Sequence, residues 1–173
     1  MLVAFVFGLL GGLIAQTSAA SCPAGWDQGD FYGGDRYCYK AVDLTGLTKQ
    51  ARQSAVTSNY CKKFDARAYP ASIHSRDEDV WVRRYGNQVG IGLYVRQCAT
   101  WSKENYKWRD HTPLDYTNWW FKQPDNNGGN ERHVVARLTD GSGWEDVCAG
   151  DGRDYKKLAC KIDLEQELDL ESM

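Results

Sequence analysis

Gln123-Pro124-Asp125-Asn126-Asn127-Gly128-Gly129-Asn130-Glu131 reads QPDNNGGNE: two acids, four amides, a proline, two glycines and no base. Loops of this composition are usually solvated turns. Four features of this one set it apart. A calcium ion takes six to eight oxygen ligands from carboxylates, amides, carbonyls and water. Gln123 and Asp125 flank Pro124, and the bond before a proline is the common place for a cis peptide, which would aim both side chains the same way. Asn and Gly residues between Asp125 and Glu131 permit a tight return. Trp144-Glu145-Asp146 then supplies two further acids. The candidate ligands are therefore Gln123, Asp125, Glu131, Glu145 and Asp146. All are oxygen donors, with no His or Cys among them, which favours a hard cation, Ca2+, over zinc.

The loop lies in a long stretch, Cys98 to Glu131, in which periodic patterning breaks down and Trp, Asp, Asn, Pro and Gly accumulate. A long irregular segment inside a compact domain is functional or disordered. Trp101, Trp108, Trp119 and Trp120 argue for order, because indole is costly to leave in water. Trp119 and Trp120 are read as core.

On either side the patterning is regular. Asp35 to Val42 alternates weakly and reads as a strand. Leu47, Ala51, Ala55 and Phe64 sit at helical spacing and predict a helix over 45–64. Ser75-Arg76-Asp77-Glu78 is a capping box opening a second helix that runs to about Tyr85. Val89, Ile91, Leu93 and Val95 alternate as a strand. Two further strand-like runs are His133–Leu138 and Lys157–Ile162, separated by Gly141-Ser142-Gly143.

The chain has 173 residues, enough for one domain with a real core. Its formal net charge is −2, which points to neither nucleic acid nor anionic membrane as a partner. Asp163, Glu165, Glu167, Asp169 and Glu171 carry −5 in a base-free tail over 163–173, so the rest of the chain is +3. Leu2 to Ala15 is almost wholly apolar and is followed by small residues. Residues 1–20 thus read as a secretory signal peptide, cleaved after Ala19 or Ala20. The apolar run is shorter than the ~20 residues of a membrane span, and no other segment is long enough. Export to an oxidising compartment makes disulfides the expected state of Cys22, Cys38, Cys61, Cys98, Cys148 and Cys160. Six cysteines allow 15 connectivities, and spacing alone leaves them all open. There is no Asn-x-Ser/Thr sequon. His74, His111 and His133 sit in no nucleophile or metal motif, and GSGW over 141–144 lacks the flanks of a nucleophile elbow, so an enzyme is not expected.

Several stretches taken together resemble the C-type lectin-like domain over roughly residues 22–162. These are CPAGW at 22–26, RYCYK at 36–40, YPASIHSRDEDVWV at 69–82, IGL at 91–93, WRDHTPLDYTNW at 108–119, QPDNN, WED at 144–146 and LACK at 158–161, all in the family's order. The resemblance implies an α+β fold: two helices, two small antiparallel sheets, a long calcium-binding loop region and disulfide staples. With the signal peptide and the acidic tail read above, the chain divides into a signal peptide (1–20), the domain (21–162) and an acidic tail (163–173). The resemblance also implies the bonds Cys22–Cys38 and Cys61–Cys160. His133 stands where the family usually has the partner of Cys148, which is therefore paired with Cys98, a free or intermolecular cysteine being the alternative.

The family's sugar-binding calcium ligands fall on Gln123, Asp125, Glu131, Glu145 and Asp146. In the family these side chains bind both the ion and two vicinal sugar hydroxyls, carboxylates accepting hydroxyl protons and amides donating to lone pairs. Gln-Pro-Asp is the order associated with galactose-like sugars, and Glu-Pro-Asn with mannose-like ones. The chain departs from the pattern in four places. Glu145 replaces an Asn and makes four acids at the site. Asn127 replaces a Trp that stacks on the sugar, a role open to Trp120 or Phe121. Arg132 replaces an acid of an accessory calcium site, and His111 replaces a glycine. The function implied is a secreted, calcium-dependent lectin for glycans ending in galactose or N-acetylgalactosamine, serving recognition or agglutination as a homo-oligomer. The alternatives are a mannose-type lectin and a protein- or mineral-binding member without sugar binding.

Overall fold

The computed structural model describes residues 21–96, 101–138, 143–147 and 155–165. The signal-peptide reading, the Cys98–Cys148 pair and most of the acidic tail lie outside the described residues.

The first regular elements are two strands, β1 (Asp27–Gln28) and β2 (Tyr37–Asp43), paired antiparallel as a hairpin. Helix α1 (Lys49–Thr57) follows, with Thr48 as its N-cap accepting from Ala51 N at 3.2 Å. This helix is shorter than the periodicity predicts. Asn59 takes a left-handed conformation (φ 58°) and ends it, so Cys61 falls in a separate 3-10 turn at Tyr60–Lys63. Strand β3 (Tyr69–Pro70) leads to α2 (Arg76–Arg83). Ser75 caps α2 as expected, its hydroxyl accepting from Glu78 N at 3.1 Å. Glu78 does not complete the box by reaching the cap residue. Its carboxylate instead accepts from His74 N at 2.7 Å and turns into the core.

Strand β4 (Gln88–Tyr94) is buried along most of its length. Close packing there requires glycine at position 92, where a Cβ would overlap the Pro70 carbonyl. Then come β5 (Lys107–Trp108), β6 (His133–Arg137), β7 (Trp144–Val147) and β8 (Lys157–Asp163). The pairing path is β1-β2-β8-β4-β6-β7, with β3 on β8 and β5 on β4. All pairs are antiparallel except β4 with β8, where Val89 and Gly90 lie beside Lys157 and Leu158 in parallel. That short contact joins the two expected antiparallel groups, β1-β2-β8 and β4-β6-β7, into one mixed sheet.

Two apolar clusters fill the domain. One packs α1 against the sheet through Val56, Leu44, Leu158, Cys160 and Ile162. The other packs α2 and the long loop against the opposite part, through Ile73, Val82, Ile91, Leu93, Trp108 and Trp144. The cysteine bonds Cys22–Cys38 and Cys61–Cys160 are both formed, with Cα atoms 5.5 and 5.6 Å apart. The second ties the turn after α1 to β8. Arg36, just before β2, pairs with Asp163 and Glu165, both at 2.6 Å, and Asp163, assigned to the tail from sequence, is the last residue of β8.

Candidate functional site

The loop before the site is pinned by indole and phenol rings. Trp144 in β7 meets Trp108 (5.6 Å), Tyr116 (5.6 Å) and Trp119 (5.9 Å) edge-on. Trp119 also bridges β7 through its backbone. Such edge-to-face contacts add to the area these rings bury. Trp144 is the centre of this packing, and its side chain is fully buried. Trp120 is half-buried and Phe121 is 76% exposed, so Phe121 is the exposed aromatic next to the loop. His111 takes φ 67°, the left-handed turn conformation in which the family's glycine is at ease.

The peptide between Gln123 and Pro124 is cis. Beyond it the loop folds on its own side chains. Asp125 Oδ1 accepts from Asn127 N at 3.0 Å, and Asn126 Oδ1 accepts from Glu131 N at 3.1 Å. Glu131 Oε2 accepts from Asn127 N at 2.7 Å. Gly128 and Gly129, both with φ near +80°, carry the return. Asp146 closes the site from β7. Its Oδ1 accepts from Asp125 N (2.9 Å) and its Oδ2 from Asn126 N (3.0 Å) and Tyr106 OH (3.1 Å). Gln123 Oε1 accepts from Asp146 N at 3.3 Å.

Asp125, Glu131 and Asp146 thus each bring a carboxylate oxygen within 4.8 Å of the others. Glu131 and Asp146 are buried, and Asp125 is exposed. Burial pushes the Glu131 carboxyl up to about 7; the Asp146 charge adds to this and the Asn127 N–H opposes it. Asp146 is also raised, again chiefly by burial, against the hydrogen bonds from Asp125 and Asn126 N–H. Crowded carboxylates of this kind are relieved by a cation, whose charge would be the largest local term. With the Gln123 amide the donor set is all oxygen, which fits calcium.

Glu145 is placed differently. It is not among the carboxylates gathered within 4.8 Å. Its buried side chain pairs with Arg137 of β6, Nη1 donating to Oε2 at 2.6 Å. Sequence reasoning named neither Arg137 nor Tyr106. Tyr106 precedes the loop and Arg137 follows it closely in the chain, and nothing in their local pattern separates them from surface and core residues.

No protein-family model matches the chain. Echinoidin of Heliocidaris crassispina is 27% identical over 160 residues, covering 83% of this chain and 97% of that protein. The crystal structure of the C-type lectin CEL-I from Cucumaria echinata superposes with a TM-score of 0.63 at 25% identity, over 84% of this chain and all of that one. The chain has the C-type lectin fold. Another solved structure, a calcium-independent type II antifreeze protein, superposes with a TM-score of 0.61 at 21% identity over 85% of this chain and 98% of that one, which speaks to the fold alone. The chain's relatives include proteins named as C-type lectins, among them C-type lectin BPL of Bothrops pirajai, 27% identical over 133 residues, covering 74% of this chain and 90% of that protein.

Proposed function

We propose that this C-type lectin-like domain is a secreted, calcium-dependent lectin of the galactose type, acting in recognition or agglutination. The observation that carries the reading is the oxygen cluster of Asp125, Glu131 and Asp146, joined by Gln123 across the cis bond. These four residues would hold the ion. An ion held there would let two vicinal sugar hydroxyls coordinate to it. The chain's own groups then discriminate: the Gln123 amide donates to a hydroxyl lone pair, and the Asp125 carboxylate accepts a hydroxyl proton. Phe121, exposed beside this edge, offers an apolar face for the sugar ring. The likeness to CEL-I and echinoidin supports the class of function, and the Gln-Pro-Asp order supports the sugar type.

Immobilised galactose tests the proposal. The protein is retained with calcium and released by chelator, and a glycan screen shows galactose-terminated ligands above mannose. Gln123→Glu weakens the galactose preference. A second reading, a lectin-like protein without sugar binding, is favoured by one observation, the Glu145–Arg137 pair that occupies a position the family uses for ligand contact. Calcium binding without retention on any glycan selects that second reading.

A further inference from the structure

Strand β5 sends consecutive side chains to opposite faces of the sheet. Trp108 lies across from Leu93 and enters the core with Ile91 and Val95. Lys107 lies across from Tyr94 on the other face and is exposed. Arg109 continues the ladder, its N–H donating to Gly92 O at 3.0 Å. It therefore shares the face of Lys107, and its guanidinium rests 5.9 Å from the centre of the Tyr94 ring. Arg96, two residues past Tyr94, is exposed, and Arg132 Nη1 donates to its carbonyl at 3.4 Å. Among the described residues, Lys107, Arg109 and Arg96 form no ion pair. The acids that flank β5 in the chain are engaged locally. Glu104 accepts from the Ser102 hydroxyl, and Asp110 Oδ1 accepts from Thr112 N at 3.1 Å and Thr112 Oγ1 at 2.7 Å.

We propose that Lys107, Arg109 and Arg96 form a calcium-independent docking site for a sulfated polysaccharide. Cations without an internal counter-charge attract a polyanion, and a guanidinium presents paired donors to an oxyanion. Two residues of strand separate Lys107 from Arg109, about 7 Å, so the pair meets charges repeated along a chain better than a single small ion. Anchoring of the backbone on β4 and of Arg109 on the Tyr94 ring lowers the ordering that binding requires. A nucleic acid would also use an open aromatic face for stacking a base, and Tyr94 is only 8% exposed. The patch is separate from the carboxylate cluster. Tyr106, the residue before Lys107, sends its hydroxyl to Asp146. Lys107 and Arg109 thus lie on the sheet face away from that cluster, and the polyanion contact uses neither an ion nor Gln123.

Immobilised dextran sulfate, in chelator and with unsulfated dextran as control, is the test. The purified chain is retained by the sulfated matrix alone and released by salt. Lys107→Gln with Arg109→Gln weakens binding about 10-fold. It also lowers the slope of log affinity against log salt by about 2, one per cation removed. Melting temperature and the response to calcium stay as in the wild type. If that variant does not fold, Lys107→Gln with Arg96→Gln, both at exposed positions, replaces it with the same losses expected. Passage of the wild type through the sulfated matrix overturns the inference, and so does unchanged affinity in the variants. Tighter binding of single-stranded DNA matched in charge assigns the patch to nucleic acid and overturns it too. Retention only when calcium replaces chelator moves sulfate recognition to the carboxylate loop, which also overturns it.

Discussion

Trp144 Nε1 donates to Asp79 Oδ1 at 2.7 Å, joining β7 to α2 across 65 residues of chain. Asp79 is fully buried and serves two more partners, accepting from Asn118 Nδ2 at 2.8 Å and pairing with Arg83 at 3.0 Å. One carboxylate therefore fixes the helix, the long loop and the strand that carries Asp146. Asp79→Ala leaves the Arg83 cation buried without its partner and Trp144 without its acceptor. Breaking a buried pair in this way costs about 3–5 kcal/mol. Urea denaturation measures it, and a loss under about 1 kcal/mol would contradict the role given to Asp79.

Calcium ligation predicts a thermal shift. Calcium at 100 times its dissociation constant stabilises by about 2.7 kcal/mol, and chelator reverses the gain. Asp146→Asn removes the carboxylate that faces both the loop amides and the cluster, and the shift disappears. Differential scanning calorimetry of both proteins, with calcium and with chelator, decides the matter. An undiminished shift in the variant would place the ion elsewhere.

A second buried charge pair lies behind α2. Lys161 Nζ sits 2.5 Å from Glu78 Oε1, and the two side chains are 5% and 2% exposed. Tyr39 OH donates to the same oxygen at 2.6 Å. Lys161→Met keeps the length of the side chain but strands the Glu78 charge, at a cost of about 3 kcal/mol. Adding Glu78→Gln recovers part of that loss, because the two substitutions share one interaction. A double-mutant cycle by denaturation gives the coupling, and strict additivity would refute it.

The two disulfides among the described residues span loops of different length. Cys61–Cys160 has a sequence separation of 99 and Cys22–Cys38 one of 16. Closing the longer loop removes more freedom from the unfolded chain: about 4.7 kcal/mol against about 3 kcal/mol in the chain-entropy account. Replacing Cys61 and Cys160 together by Ala therefore lowers stability more than replacing Cys22 and Cys38. Equal losses in matched denaturation curves would argue against the entropic origin.

Much of the frame was legible locally. Ser75 announced the start of α2 because a cap is a contact between near neighbours. Val89, Ile91 and Leu93 announced β4 through alternation. The motif order implied the fold and both bonded cysteine pairs. What escaped were elements too short to have a period. Strand β7 is four residues, two of them acids, and exists because β6 pairs along it. Strands β3 and β5 are two residues each and exist only as pairings with β8 and β4. The prediction for α1 was overlong at both ends: Thr48 caps its start, and the left-handed Asn59 stops it.

The candidate site divides along the same line. The sequence by itself determined the chemistry on offer: oxygen donors at Gln123, Asp125, Glu131, Glu145 and Asp146, and a proline that accepts a cis bond. Only the tertiary structure decided which donors meet. It gathered Asp125, Glu131 and Asp146 and gave Glu145 to Arg137. The reason is physical. Adjacent strand residues project to opposite faces, so Glu145 and Asp146, neighbours in the chain, enter different surroundings. Which surroundings those are depends on the register of β6 against β7, and no pattern local to either residue records that register.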